Sequence, residues 1–413
     1  MKKVLVFFSI IAVTLVLVAF GNSVLGSSEE EAMQFYVSGD TIEGSALTKM
    51  SKKYTEETGV KIEVVDVPYS DMITKLNNMI RAEQPPALAR VTGFNPGWRG
   101  SLLDLQEVAE KNNVRTELGI TVDDQLVAPP LDLTAVGMFI NVDLFEEAGV
   151  TFPTSEDNIW TWDEFLSKVK TVKENTNAKY GMVMDNSEHR LNAFLYQHGS
   201  KGFYREDDQY TTNPETKEAL QKFVELNNSG MMPKSVWTAS EDPAFMFKSG
   251  LVPAYMSGSW QITDFASNIK DFEWKAVYMP YEEERSTNLG GNYLTAFKGS
   301  GYEEEAKKFI DWLYQKDNYE ELASLGGYLP VVEDADVEYN LAPEVYELYN
   351  NEIEASAEVA NVQRNKLVRK QLVAKRSLKD VLANEMINTL NGQQSLDKAI
   401  ENVESQMTET YIE

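Results

Sequence analysis

The 413-residue chain contains no cysteine. Disulfide staples, thiolate chemistry and cysteine-ligated zinc are therefore excluded. Histidine is nearly missing too. His189 and His198 are the whole supply, too few for a histidine metal site. Positive charge is scarce: 38 Lys and Arg stand against 65 Asp and Glu, a formal net charge of −27 at pH 7. Such a surface does not bind nucleic acid, which needs cations to displace counterions. Nor does it dock on anionic lipid. Its simplest role is solubility. After the N-terminus there is no long apolar run, and no Pro/Gly/Ser-rich linker divides the chain. Nucleophile-elbow, P-loop and dinucleotide-binding glycine motifs are missing as well. No cofactor, no metal and no catalytic residue is expected.

Aromatic residues are plentiful, with 7 Trp, 19 Tyr and 18 Phe. Most belong in cores, yet flat rings also grip the apolar faces of uncharged ligands. The length favours two lobes over one core. Lys2 and Lys3 precede an apolar run from Val4 to Phe20, followed by small and acidic residues to Glu31. That order predicts a secretory signal over residues 1–26 and an exported protein. An uncleaved anchor competes with it, because the run is about the minimum length that spans a bilayer. The stretch Leu17-Val18-Ala19-Phe20-Gly21-Asn22-Ser23 resembles a bacterial lipoprotein box. Phe20 stands where the lipid-bearing cysteine would be, so lipidation there is chemically impossible.

The chain then alternates between two periodicities. Met33–Val37 reads as a strand, and Ala46, Leu47, Met50 and Tyr54 as a helix face ended by Gly59. Val60–Val65 reads as a strand. Ser70 is placed to cap a helix carrying Met72, Ile73, Leu76, Met79 and Ile80. Pro85-Pro86 breaks it before a strand at Ala87–Val91. Strand–helix alternation predicts a parallel sheet with right-handed crossovers. Later strands are expected at Val136–Ile140, Leu251–Met256 and Trp274–Met279. Thr161 and Glu164 form a capping box, and Ser377 and Ser395 read as caps in a helical C-terminal region. With no linker, two lobes joined by short crossovers fit best, and a ligand would sit beyond the carboxyl ends of the strands.

Several phrases, in order, make the chain similar to the extracellular solute-binding family that includes maltose-binding proteins. They are Ser38-Gly39-Asp40, Tyr54-Thr55-Glu56-Glu57-Thr58-Gly59-Val60-Lys61-Ile62 and Met138-Phe139-Ile140-Asn141-Val142-Asp143-Leu144-Phe145. Thr161-Trp162-Asp163-Glu164-Phe165, Ala254-Tyr255-Met256-Ser257-Gly258-Ser259-Trp260, Gly290-Gly291-Asn292 and Gly326-Gly327-Tyr328-Leu329-Pro330 continue the series. Ala87 departs from it, since an acidic residue is usual there. The resemblance implies an α/β, two-lobed periplasmic-binding-protein-like fold of class II type, with a hinge of two to three crossing segments. The expected division is 27–132 with 290–330 for one lobe and 133–289 with 331–413 for the other. It further implies a monomer that delivers a sugar or oligosaccharide to an ABC permease. A polyol, a glycerol phosphate derivative or a peptide remains open as ligand, as does an exported glycan-cleaving enzyme.

A sugar site stacks an aromatic ring on C–H faces and bonds the hydroxyl rim with polar groups. Trp260, after a loop of Ser257, Gly258 and Ser259, is the first candidate platform; burial between lobes is its competing reading. Trp237 and Trp98 are weaker candidates, and Trp162 reads as structural. Gly39 and Asp40 follow the first strand, where Asp40 would bind hydroxyls or cap a helix. Thr92 and Asn95 follow the third strand. Asp132 and Thr134 lie at an expected crossing. Arg90 would bind ligand or pair within its lobe. Gly291 and Asn292 would let backbone approach a ligand or simply turn the chain. Glu188 and Arg190 fall where the family has contacts, and Tyr328 and Arg364 complete the candidates.

Overall fold

The computed structural model describes residues 32–356 and 370–411. The signal-like N-terminus and Arg364 lie outside the described residues. β1 (Met33–Val37), β2 (Ile62–Asp66) and β3 (Leu88–Val91) are linked by helices Ala46–Thr58 and Met72–Arg81. β1 pairs in parallel with both β2 and β3. The first helix buries Ala46, Leu47, Met50 and Tyr54, the face its periodicity marks. Gly59 ends it at φ 80°, a left-handed conformation that suits glycine. The second helix starts one residue later than expected, with Asp71 and not Ser70 at its N-cap.

The remaining strands are β4 (Ile120–Val122), β5 (Gln125–Ala128), β6 (Pro130–Thr134), β7 (Val136–Asn141), β8 (Val183–Met184), β9 (Tyr204–Glu206), β10 (Gln209–Thr211), β11 (Ala254–Gly258), β12 (Trp274–Val277) and β13 (Gly290–Ala296). Two principal sheets result, ordered β2-β1-β3-β13-β6 and β12-β7-β11-β8. Each anchors one lobe. The expectation of parallel pairing holds for β1 to β3 and for β8 with β11, but not for the strands that cross between sheets. β13 runs antiparallel to β3 and β6, and β7 antiparallel to β11 and β12. The reason is topological: β13 returns from the other sheet and enters from the opposite end.

The chain passes between lobes three times. Thr134 pairs with Gly290 in the first sheet, while Val136 pairs with Gly258 in the second, so Ala135 alone separates them. The return runs from Val277 to Gly290. Leu329 and Val332 still bridge to Leu133 and Val114, after which helix Pro343–Glu354 packs on β12. Two crossings are bonded to each other. The Thr287 hydroxyl accepts from the Val136 N–H at 2.7 Å and donates to the Val136 carbonyl at 2.8 Å.

The C-terminal helices Val381–Leu390 and Leu396–Thr410 pack on each other and on helix Pro214–Asn228. Ser395 caps the second, accepting from the Lys398 N–H at 3.2 Å. Ser377 does not start a helix. The residues after it run non-helically to Asp380, and Lys379 donates to the Ser70 carbonyl at 3.4 Å. The expected capping box is present, with Thr161 and Glu164 each bonded to the other's backbone N–H.

Asp40 takes the capping role. Ser45 sits at φ 55° and does not cap helix Ala46–Thr58. Asp40 reaches over it instead, accepting from the Leu47 N–H at 2.8 Å, the Thr48 N–H at 3.1 Å and the Thr48 hydroxyl at 2.6 Å. Asp40→Ala should therefore lower stability by about 1–2 kcal/mol, as lost caps do. An unchanged urea midpoint would contradict that role.

Candidate functional site

The first wall of the cleft is organised by Arg90, which the strand β3 carries inward. The residue is only 3% exposed. It donates to Glu43 at 2.6 and 3.1 Å and to Asp132 at 2.8 Å. Tyr328 donates its hydroxyl to Glu43 at 2.9 Å and lays its ring 5.0 Å from the guanidinium carbon. The Asn292 amide donates to both oxygens of Asp132, at 2.8 and 3.0 Å. Two carboxylates thus share one buried cation. Burial pushes the Glu43 carboxyl up, against the pull of Arg90 and with help from Asp132.

The second wall is built on β11. Alternation along the strand sends Tyr255 and Ser257 to one face. Both donate hydroxyls to Asp185, Ser257 at 2.9 Å. Arg190, on helix Glu188–Gln197, pairs with the same carboxylate at 2.7 Å. The guanidinium carbon of Arg190 then lies 4.6 Å from the centre of the Trp260 ring. Trp260 is half-buried at the end of β11, folded back over Gly258. A Cβ on Gly258 would come within 2.0 Å of the indole, so that seat requires glycine. His189 meets the indole edge-on at 6.3 Å.

The walls touch. A Cβ on Gly290 would lie 2.2 Å from Nε2 of His189 and 2.4 Å from the Thr134 hydroxyl. A Cβ on Gly327 would lie 2.2 Å from the Tyr346 hydroxyl and 2.6 Å from that of Thr263. An indole face, a guanidinium, a carboxylate and several hydroxyls therefore meet where the lobes do. That set can stack on C–H surfaces and bond a rim of hydroxyls.

Residues 49–346 match the family model of bacterial extracellular solute-binding proteins. The chain belongs to that family. A putative binding protein of Brucella abortus is 26% identical over 227 residues, 53% of this chain and 54% of that protein. The chain thus spans about half the length of such curated relatives. A lactose-binding protein of Rhizobium radiobacter is 26% identical over 256 residues, 60% of this chain and 59% of the relative. A solved ABC-transporter solute-binding protein of Thermotoga lettingae, bound to α-D-tagatose, superposes with a TM-score of 0.73 at 20% identity. That match covers 92% of this chain and 99% of the other. Maltose-bound MalE3 of T. maritima gives 0.71 at 18% identity, covering 91% and 98%. The fold is thus the two-lobed binding-protein fold of class II type. Among the described residues no helix is long and apolar enough to cross a membrane.

Within this solute-binding fold the candidate residues separate. Trp260, Arg190 and Thr134 gather at the contact between lobes. Gly291 pairs with Leu133 in β13, beside Gly290. Asp132, Asn292 and Tyr328 spend their polar atoms on the Arg90 network. Thr92 is exposed, and Asn95 accepts from the Gly97 N–H at 2.9 Å. Gly39, at φ 77°, donates to Asp66 at 3.1 Å. Trp237 is 3% exposed and packs edge-on against Phe223 at 4.8 Å, in the core of its lobe. Trp98 is fully buried, as is Trp162, whose indole N–H donates to Gln197 at 3.0 Å. Sequence reasoning missed Glu43, Asp185, His189, Tyr255 and Ser257. The i, i+2 pair Tyr255 and Ser257 was a usable signal; the partnership with Asp185 spans 70 residues and was not.

Glu188 is held differently. Its carboxylate accepts from the Ala383 N–H at 3.1 Å, at the start of a C-terminal helix, and burial pushes it up to about 7. Glu352 accepts from the Met279 N–H at 2.9 Å, and burial likewise pushes it up to about 7. Groups raised in the folded state stabilise it while protonated, and that stability is lost as pH climbs through 7. His198, lowered by burial to about 4, acts oppositely but only below its ordinary 6.5. From roughly pH 6.5 to 8 each glutamate should thus weaken the fold by about 1 kcal/mol. The melting temperature should fall over that interval, and less so in Glu352→Gln. A rise would contradict this reading.

Proposed function

We propose that the protein is the extracytoplasmic substrate-binding component of an ABC importer, capturing a sugar or oligosaccharide by closure of its lobes and passing it to the permease. The observation that carries this is Trp260, a half-buried indole on a glycine seat at a strand's end, facing the contact between lobes. Arg190 now lies over that indole. A sugar would take that face in place of Arg190, and Arg190 and Asp185 would then bond its hydroxyls. A lactose-binding protein and the diacetylchitobiose-binding protein DasA of Streptomyces coelicolor, 22% identical over 300 residues, support the ligand class.

In this reading the protein is exported, works as a monomer and catalyses nothing. No observation favours a phosphorylated or peptide ligand, because the charge of Arg190 is already matched by Asp185. The moving bodies are residues 27–132 with 290–330, and 133–289 with 331–413. The strand pairings support moving the first boundary to Ala135 and the last to just after Val332.

A thermal-shift panel of maltose, lactose, diacetylchitobiose and longer oligosaccharides tests the reading, since a ligand of the native state raises the melting temperature. Trp260→Ala should weaken binding of the best saccharide by about 1–3 kcal/mol with its own melting intact. Undiminished affinity in that variant would remove the indole from the site. A panel without any shift would remove the sugar.

A further inference from the structure

We propose that the segment Lys370–Asp380 is a latch, rooted in the second lobe and gripping the ligand-facing loops of the first, which holds the lobes together. Its roots are three. Lys370 donates to the Tyr210 hydroxyl at 2.9 Å. The Lys375 N–H donates to the Thr410 carbonyl at 3.1 Å, and Arg376 Nε to the Thr410 hydroxyl at 3.0 Å. Tyr210 and Thr410 belong to β10 and to the last helix, which pack together in the second lobe.

The grips on the first lobe are also three. Oε1 of Gln371 accepts from the Phe94 N–H at 2.8 Å. Leu372 is 1% exposed and is buried in a cluster with Met72, Leu76, Phe94 and Trp98, all residues of the first lobe. Lys379 donates to the Ser70 carbonyl and lies 5.8 Å from the Tyr69 ring. Phe94 follows β3 and Ser70 follows β2, so both grips fall beyond the carboxyl ends of parallel strands. That is the edge at which an α/β sheet receives ligand.

The latch is one-sided. Val373, beside Leu372, is 36% exposed. When the lobes part, either Leu372 leaves its cluster and enters water, or the roots at Thr410 and Tyr210 break. The three crossings permit rotation, whereas the latch opposes it. The energy of the latch is therefore a difference between open and closed states, the quantity that sets their populations. The inference rests on the two-lobed opening of the proposed function, but it requires no particular ligand.

The absence of cysteine makes the test direct. Lys52→Cys and Lys170→Cys, at side chains 78% and 62% exposed, put one fluorophore on each lobe. Single-molecule energy transfer is then recorded without any sugar. Gln371→Ala with Leu372→Ala should raise the low-transfer, open fraction at least tenfold. Lys370→Ala with Arg376→Ala, which loosens the roots, should do the same. Gln371→Ala alone, which removes one hydrogen bond and no core side chain, should shift the fraction in the same direction should the first pair fold poorly. Unchanged distributions in all three variants, with melting intact, overturn the latch. Since no ligand is present, that outcome leaves sugar capture untouched, and a failed sugar panel leaves the latch standing.

Discussion

The guanidinium of Arg90 is enclosed by groups from four other segments of the first lobe. Glu43 comes from the loop after β1, Asp132 from β6, Asn292 from β13 and Tyr328 from the third crossing. The roots of all three crossings are therefore tied to one buried cation. Removing two carboxylates and a guanidinium from water is costly, and only close pairing offsets it. The cluster is thus a geometric constraint more than a source of stability, and it specifies one arrangement of five chain segments.

From that anchor the rest follows. Ala135 alone separates the sheets at the first crossing, and Thr287 bonds the second crossing to it. In the proposed closure, rigid roots and short crossings would let the lobes move as bodies. The polar network leaves the first wall few free groups, so in the proposed reading recognition would fall to the second wall, where Asp185 orders Arg190 against Trp260. Glycine is required at Gly258 under the indole and, where the walls approach, at Gly290 under His189.

Local rules made much of this legible. The first helix, its glycine end, the Thr161 capping box and the seat of Trp260 all follow from residues within about one turn of each other. What sequence could not supply was partnership at long range. Asp132 looked like a ligand group because it is polar and precedes a strand at a crossing, and Tyr328 because it follows the glycine pair Gly326-Gly327. Their carboxylate and hydroxyl are consumed by Arg90 and Glu43, which lie 42 and 285 residues away. Asp40 was open between hydroxyl binding and capping, and an uncapped left-handed Ser45 settled its hydrogen bonds on the helix. Ser377 failed as a cap because its neighbours run out to the other lobe.

The account depends most on Arg90 holding those segments in one geometry, and urea unfolding of Arg90→Met measures this directly. Loss of the cation leaves two buried carboxylates facing each other, so stability should drop by about 3–5 kcal/mol. Neutralising both partners as well, with Glu43→Gln and Asp132→Asn, should recover much of that loss. A single variant that loses less than about 1 kcal/mol, in the range of an exposed ion pair, would contradict the account.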